Sequence, residues 1–221
     1  MRPDRLSVLQ TMLDVGAVPT FTPLDPEAAR RVVRACHEAG APVIEVTNRS
    51  AGTLALFRDL VAWADAELPD VILGVGTIYD APTAAMFIDA GADFIVSPIF
   101  GPDVARLCNR RRVAFLPGCG TATEVSNAEE LGVEIVKLFP AAAFDGPAFI
   151  RGIHGPSPMT RIMPTNVEAT EHATRSWFAA GAACLGVGPH LISDDLQAAA
   201  DPSGLTDRLR QYLGWVRAAR S

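Results

Sequence analysis

The stretch "AGAPVIEV" at residues 39–46 joins the end of a helix-like run to the start of an apolar, strand-like one through a glycine. The same form returns as "AGADFIVS" (90–97), "LGVEIVKL" (131–138) and "AGAACLGV" (180–187). Each is a helix end, a glycine suited to the C-cap, and then a short apolar strand. The glycines fall at positions 40, 91, 132 and 181, about two strand–helix units apart. Four such pairs make eight units, which fits an α/β fold closed into a (β/α)8 TIM barrel of ordinary size.

Eight strand-like segments can be marked: "AVPTFTP" (17–23), "PVIEVTN" (42–48), "VILGVGT" (71–77), "FIVSP" (94–98), "VAFLPGC" (113–119), "EIVKLFP" (134–140), "RIMPT" (161–165) and "ACLGVG" (183–188). They are short and apolar, as parallel strands covered on both faces tend to be. Helix-like segments lie between them, including 25–40, 52–68 and 168–181. The first has proline in its opening turn and glycine at its end, the usual asymmetry. Strands alternating with helices predict a parallel α/β fold. An open, doubly wound sheet is the alternative, but "GVGT" (74–77) and "GVGP" (186–189) lack the third glycine of a dinucleotide fingerprint. The expectation is one domain over residues 1–221, with a short N-terminal helix and a C-terminal amphipathic helix in "DRLRQYLGWVRAARS" (207–221).

At 49% hydrophobic and 20% charged residues, the 221-residue chain has material for a sizeable core. A net charge of −6 argues against a nucleic-acid partner, which would need a basic footprint. The four cysteines (Cys36, Cys108, Cys119, Cys184) form no C-x-x-C pair, so neither a zinc site nor a disulfide framework is signalled. No metal or other cofactor is expected. "MRPDRLSVLQ" at the N-terminus lacks the apolar core of a signal peptide, and no run reaches the length of a membrane span. The expectation is a soluble cytoplasmic protein with reduced thiols and no membrane partner.

The 19 basic residues are eighteen arginines and one lysine, Lys137, which lies inside the apolar "EIVKLFP". A buried ammonium is costly unless paired or neutralised. Lysine gives up its proton readily on burial and arginine does not, so the position suits a neutral amine. Alternation along strands groups other side chains with it. Glu45, Thr47 and Arg49 share a parity in strand two, Val75 and Thr77 in strand three, and Ile135, Lys137 and Phe139 in strand six. If these faces turn inward, a carboxylate, a guanidinium, a hydroxyl and an amine converge at the C-terminal mouth, where such barrels place active sites.

Two readings of that cluster stand side by side. One is a buried Glu45–Lys137 ion pair with Arg49 on the rim. The other is imine catalysis, in which a neutral amine attacks a ketone and the protonated imine serves as electron sink. Desolvation by the apolar neighbours Val136, Leu138 and Phe139, and the cation Arg49, would lower the lysine pKa. Glu45 would move protons, and Arg49 would orient a substrate carboxylate. The choice of lysine in an otherwise arginine-only chain favours the second.

Six motifs carry a family resemblance: "EVTNR" (45–49), "GVGT" (74–77), "FIVSP" (94–98), "PGCGTATE" (117–124), "VKLFPA" (136–141) and "IMPT" (162–165). In order and spacing they resemble the 2-keto-3-deoxy-6-phosphogluconate / 4-hydroxy-2-oxoglutarate aldolase family, over nearly the whole chain. The resemblance implies a class I aldolase on a (β/α)8 barrel, a homotrimer that needs no metal. It would cleave 2-keto-4-hydroxy acids to pyruvate and an aldehyde. It also implies that Lys137 is the Schiff-base lysine, Glu45 the acid/base group and Arg49 the pyruvate-carboxylate ligand. Thr77 would lie near Arg49, and Pro98 and Phe139 would wall the pocket.

The chain departs from that family's pattern at the other end of the substrate. Members carry a Gly-Gly after the "PT" of strand seven and a serine after strand eight, which hold a substrate phosphate. Barrels often bind phosphate in those loops, through amides that no side chain screens. This chain reads "MPTNVEATEH" (163–172) and "GVGPHL" (186–191). After Thr165, Asn166 stands where glycine is expected. Pro189, beside Gly188, replaces the serine and has no N–H to donate. Glu168 adds a negative charge. The expectation is an intact pyruvate half-site and a lost or rebuilt phosphate half-site. The substrate would be unphosphorylated, such as 4-hydroxy-2-oxoglutarate or a 2-keto-3-deoxy sugar acid. The alternatives are phosphate still held by the Gly186 and Gly188 amides, as for 2-keto-3-deoxy-6-phosphogluconate; a phosphate-binding isomerase or synthase with a structural lysine; and a non-catalytic keto-acid-binding barrel. His190 on the mouth side reads as a loop residue, His154 as structural on the opposite face, and Cys119 as packing.

Overall fold

The computed structural model describes residues 2–143 and 145–221. Every strand pairing in it is parallel. Strands β1 (Ala17–Phe21), β2 (Val43–Thr47), β3 (Ile72–Gly76), β4 (Phe94–Val96) and β5 (Ala114–Leu116) form one ladder in the order β5-β4-β3-β2-β1. Beyond β1 that ladder continues to β9 (Leu185–Val187). A second ladder runs β6-β7-β8, from Gly118–Cys119 through Val136–Leu138 to Ile162–Pro164.

Two junctions close these ladders into a ring. At one, β5 and β6 are halves of a single expected strand, interrupted at Pro117. Proline offers no N–H to a ladder, so the chain changes partner there. β5 pairs with β4 and β6 with β7, while the Pro117 carbonyl still accepts the Lys137 N–H at 2.9 Å. At the other junction the Ala183 N–H bonds to the Ile162 carbonyl at 2.9 Å, and Thr165 bridges Gly186. The result is the expected (β/α)8 barrel.

The four glycines of the repeated motif explain its form. Gly40, Gly91, Gly132 and Gly181 all have φ between 78° and 99°, the left-handed region that glycine enters without the penalty of a Cβ. Each thus ends a helix and redirects the chain into a strand. Helix starts are equally local. Asp25 caps α2 (Pro26–Ala39), with the Ala28 N–H donating to its carboxylate at 2.7 Å. Thr170 caps α8 (Glu171–Ala179). That cap corrects the expected start at 168: Thr170 is extended, with φ −126°. The C-terminal helix runs over Ser203–Arg220 and buries Leu205, Leu209, Tyr212, Leu213 and Val216, packing against α2 and α8. Among the described residues no helix is long and apolar enough to cross a membrane.

The apolar residues divide into two layers. The outer layer lies between strands and helices. The inner layer fills the barrel with Val18, Val43, Ile72, Phe94, Leu116, Ile135 and Met163, and is closed by Val8, Leu9 and Met12 of helix α1 (Arg5–Val15). Arg5 ties α1 to the barrel floor through the Gly132 carbonyl and Glu134, each at 2.7 Å. Asp93, just before β4, is a buried carboxylate at this same floor and pairs with Arg2 at 2.9 Å. Within the inner layer Phe94 occupies the space a side chain at Gly74 would need: a Cβ there would fall 2.3 Å from the ring. Gly74→Ala should destabilise the fold by about 1–3 kcal/mol through overpacking, read from urea unfolding. A variant within about 0.5 kcal/mol of the parent, the range of neutral surface changes, would contradict this packing.

Candidate active site

Lys137 sits mid-way along β7 and faces inward, with Gly118 and Met163 as neighbours in register. It is 8% exposed. Ile135, two residues earlier on the same face, and Met163 belong to the dry barrel interior. Val136 and Leu138, expected to dry the amine, do not: alternation turns them into the outer layer between strands and helices. The amine lies 5.3 Å from the centre of the Phe139 ring. Burial holds its pKa below the ordinary lysine range. Arg49 lowers it further, and Glu45 pulls the other way. The structural ion pair does not form: among the described residues Lys137 takes part in no salt bridge.

Glu45 is inward on β2 and 2% exposed. Thr20 of β1, its partner in register, donates its hydroxyl to Glu45 Oε2 at 3.3 Å. Room for the carboxylate comes from β3. A Cβ at Gly76 would lie 1.7 Å from Glu45 Oε1, so any side chain there would displace it. Arg49 lies just beyond the end of β2, exposed, and its Nε–H reaches the Thr77 hydroxyl at 3.4 Å.

Thr77 arrives by an unexpected route. Val75, grouped with it by parity, faces the outer layer. In β3 the inward positions are Ile72, Gly74 and Gly76, set by their register with Val43, Glu45 and Thr47. Thr77 reaches the mouth because the backbone leaves the strand there with φ 65°, a region in which β-branched residues are outliers.

A cavity of about 360 Å³ opens at this mouth. Glu45, Arg49, Lys137 and Phe139, on or just after β2 and β7, line it together with Thr165, Asn166, Gly188 and Pro189, just after β8 and β9. Thr77 meets it only through Arg49. Pro98 does not line it; its carbonyl instead covers Gly118, where a Cβ would fall 2.2 Å away. Asn166 has φ 58°. Asparagine is among the few non-glycine residues that tolerate that conformation, so the loop keeps a glycine-like turn while adding an amide side chain. Thr20 also lines the cavity. Its signal in the sequence was a hydroxyl residue in an apolar strand, and Gly76 gave a second in the run of glycines at 74 and 76.

Other polar groups stand apart. Cys119 is buried, and burial pushes its thiol up to about 12, so it stays protonated. His154 bonds the Thr160 carbonyl at 2.9 Å. The exposed His190 is held by its carbonyl, which accepts from Arg208. No group of three or more His, Cys, Asp or Glu suited to a metal ion occurs among the described residues.

An amine dried by a barrel interior, beside a buried carboxylate and at an open mouth, is the equipment of a lyase that works through an imine. Comparison with known proteins gives that class a family. The family model for KDPG and KHG aldolase matches residues 10–206, and the chain belongs to this family of class I aldolases. A 2-dehydro-3-deoxy-phosphogluconate aldolase of Pseudoalteromonas atlantica is 30% identical over 196 residues, covering 89% of each chain. One of Treponema pallidum is 32% identical over 160 residues, 72% of this chain and 74% of that one. In structure, the chain superposes on KDPG aldolase from Legionella pneumophila with a TM-score of 0.83 at 22% identity, over 91% of this chain and 96% of that one. That structure holds pyruvate captured as a covalent carbinolamine intermediate.

A single lysine makes its titration directly visible. In protein labelled with 13C-lysine, the one ε-carbon signal should titrate below the ordinary lysine value of 10.5. The midpoint should fall further in Glu45→Gln and rise in Arg49→Leu, as the signs of their influence require. A normal midpoint, unmoved by either change, would contradict the site as described.

Proposed function

We propose that this aldolase cleaves, or forms in reverse, unphosphorylated 2-keto-4-hydroxy acids through an imine on Lys137. The observation that carries the reading is the dried Lys137 amine facing Glu45 across a cavity open at the mouth. The neutral amine attacks the keto carbon, and Glu45 shuttles protons as the carbinolamine loses water. The C3–C4 bond then breaks. Its electrons flow into the iminium to give an enamine, while the C4 hydroxyl loses its proton and leaves as an aldehyde. A proton returns to C3, and hydrolysis frees pyruvate and the amine. Arg49, with Thr77 against its Nε, holds the pyruvate carboxylate and fixes its orientation. Phe139 walls the pyruvate end.

The lack of phosphate in the substrate is supported by the part of the cavity lining that follows β8 and β9. That part is Thr165, Asn166, Gly188 and Pro189, none of them a cation. Pro189 has no N–H, and the exposed Glu168 follows two residues after Asn166. Of the cavity's two cations, Lys137 forms the imine and Arg49 holds the pyruvate carboxylate, so neither is left for a phosphate. We place this activity in the cytoplasm, in keeping with four free, buried cysteines. A homotrimer belongs to the same reading. Tyr79, Met86 and Ile99, exposed on α4 (Ala81–Asp89) or the mouth-side loops beside it, offer apolar surface for it.

The test is pyruvate release, followed with lactate dehydrogenase, from 2-keto-3-deoxygluconate and from its 6-phosphate. The unphosphorylated acid should have a kcat/KM at least about tenfold higher. That corresponds to about 1.4 kcal/mol of differential transition-state binding. A preference for the phosphorylated acid contradicts the proposal. Glu45→Gln should lower kcat roughly 10²–10⁴-fold, the range of general acid–base catalysis. Loss of less than about tenfold would remove Glu45 from that role.

A further inference from the structure

Beside the main cavity lies a smaller chamber of about 60 Å³. It shares Thr20, Arg49 and Pro189 with the main cavity, and adds Thr22, Thr47, Asp194 and Gln197. That volume has room for a few water-sized groups. Gln197 comes from α9 (Asp194–Ala198), a short helix after β9. It is 2% exposed, yet its amide oxygen has no hydrogen-bond donor. Its amide nitrogen meets only Asp194 Oδ1, at 3.5 Å. The backbone behind it is fixed, since Arg31 of α2 donates to the Gln197 carbonyl at 3.1 Å. Across the chamber the Thr22 and Thr47 hydroxyls lie 2.7 Å apart. One donates to the other, so the acceptor's own proton has no place within the pair.

The large majority of buried side-chain polar atoms in native proteins have a partner, and each one that does not calls for an explanation. This set has an explanation in ligand chemistry. Gln197 Oε1 and the Asp194 carboxylate can only accept, the threonines can do either, and Arg49 is already taken by the pyruvate carboxylate. A group that fits must both donate and accept, as an alcohol does. A phosphate or a carboxylate brings acceptors alone, leaves Gln197 Oε1 unpaired, and meets the Asp194 carboxylate beside an Arg49 already committed to the pyruvate carboxylate.

We infer that this chamber binds the hydroxyl-bearing tail of the substrate, with Gln197 and the Thr22–Thr47 pair as specificity-determining contacts. The inference rests on the aldolase reading above and narrows it. The substrate class is a 2-keto-3-deoxy acid with a neutral polyhydroxy tail, and the aldehyde released is a neutral hydroxyaldehyde. 4-Hydroxy-2-oxoglutarate, whose aldehyde product is the anion glyoxylate, is then the poorer substrate.

The experiment is aldol addition of pyruvate to paired acceptors: glyceraldehyde, and propanal as the same chain without hydroxyls. The readout is the ratio of the two kcat/KM values within one enzyme, which cancels any loss of folded protein. Gln197→Leu and, separately, the near-isosteric Thr22→Val should each lower that ratio about fivefold to tenfold, the effect of one lost hydrogen bond. Wild-type enzyme should prefer glyceraldehyde to both glyoxylate and glyceraldehyde 3-phosphate. A ratio unmoved in both variants, or a charged aldehyde as the better acceptor, overturns the proposal. Reductive trapping of pyruvate on the wild-type enzyme separates the two levels. With an imine formed and the ratio unmoved, the chamber alone is wrong. With no imine, the aldolase reading fails and the chamber's role fails with it.

Discussion

An amine is a nucleophile near neutral pH only where its surroundings penalise the charge it would otherwise carry. Much of this structure follows from meeting that condition at Lys137. The barrel interior below the lysine is filled with apolar side chains and sealed by α1, so water is kept to one end. Glycines at 74 and 76 leave β3 without side chains where Phe94 and Glu45 need space. Arg49 contributes a second unfavourable charge while it stays at the exposed rim. Glu45 opposes both effects, but as a buried carboxylate bonded by Thr20 it is also the group that carries protons in the proposed mechanism. The site is thus a balance between drying the amine and keeping one base beside it.

The fold was legible because its joints are local. A glycine that must adopt positive φ after a helix leaves the same mark wherever it recurs, and Gly40, Gly91, Gly132 and Gly181 do recur at even spacing. Lys137 was legible for a different reason: composition alone singles it out among arginines. Parity then found Glu45 on β2, where the strand is regular. It failed where backbones depart from the ideal. Val75 turned out to face the helices, and Thr77 reaches the mouth only through its left-handed turn. The partner exchange at Pro117 depends on two neighbouring strands, information no single segment contains. Gln197 was invisible because a five-residue helix carries no periodic signal and the other residues lining its chamber come from β1, β2 and the loop between β1 and α2.

The two parts of the cavity lining are built by different means. Strands hold Glu45 and Lys137, and strand register leaves little freedom. Loops after β8 and β9 supply Asn166, Gly188 and Pro189, and loops accept changes in sequence that strands do not. Asn166 illustrates the difference, since it keeps the glycine-like backbone and adds a side-chain amide beside its backbone N–H. A barrel can therefore keep one chemical step and alter what it accepts as the partner of pyruvate. The side chamber extends this logic one loop further, to the short helix after β9.

The most direct measurement uses the fact that the chain has one lysine. Protein incubated with pyruvate and reduced with borohydride is weighed intact, beside Lys137→Arg treated in the same way. The account predicts a gain of one reduced pyruvate in the wild type and none in the variant. No adduct in the wild type, or an equal adduct in both, would contradict the assignment of the imine to Lys137.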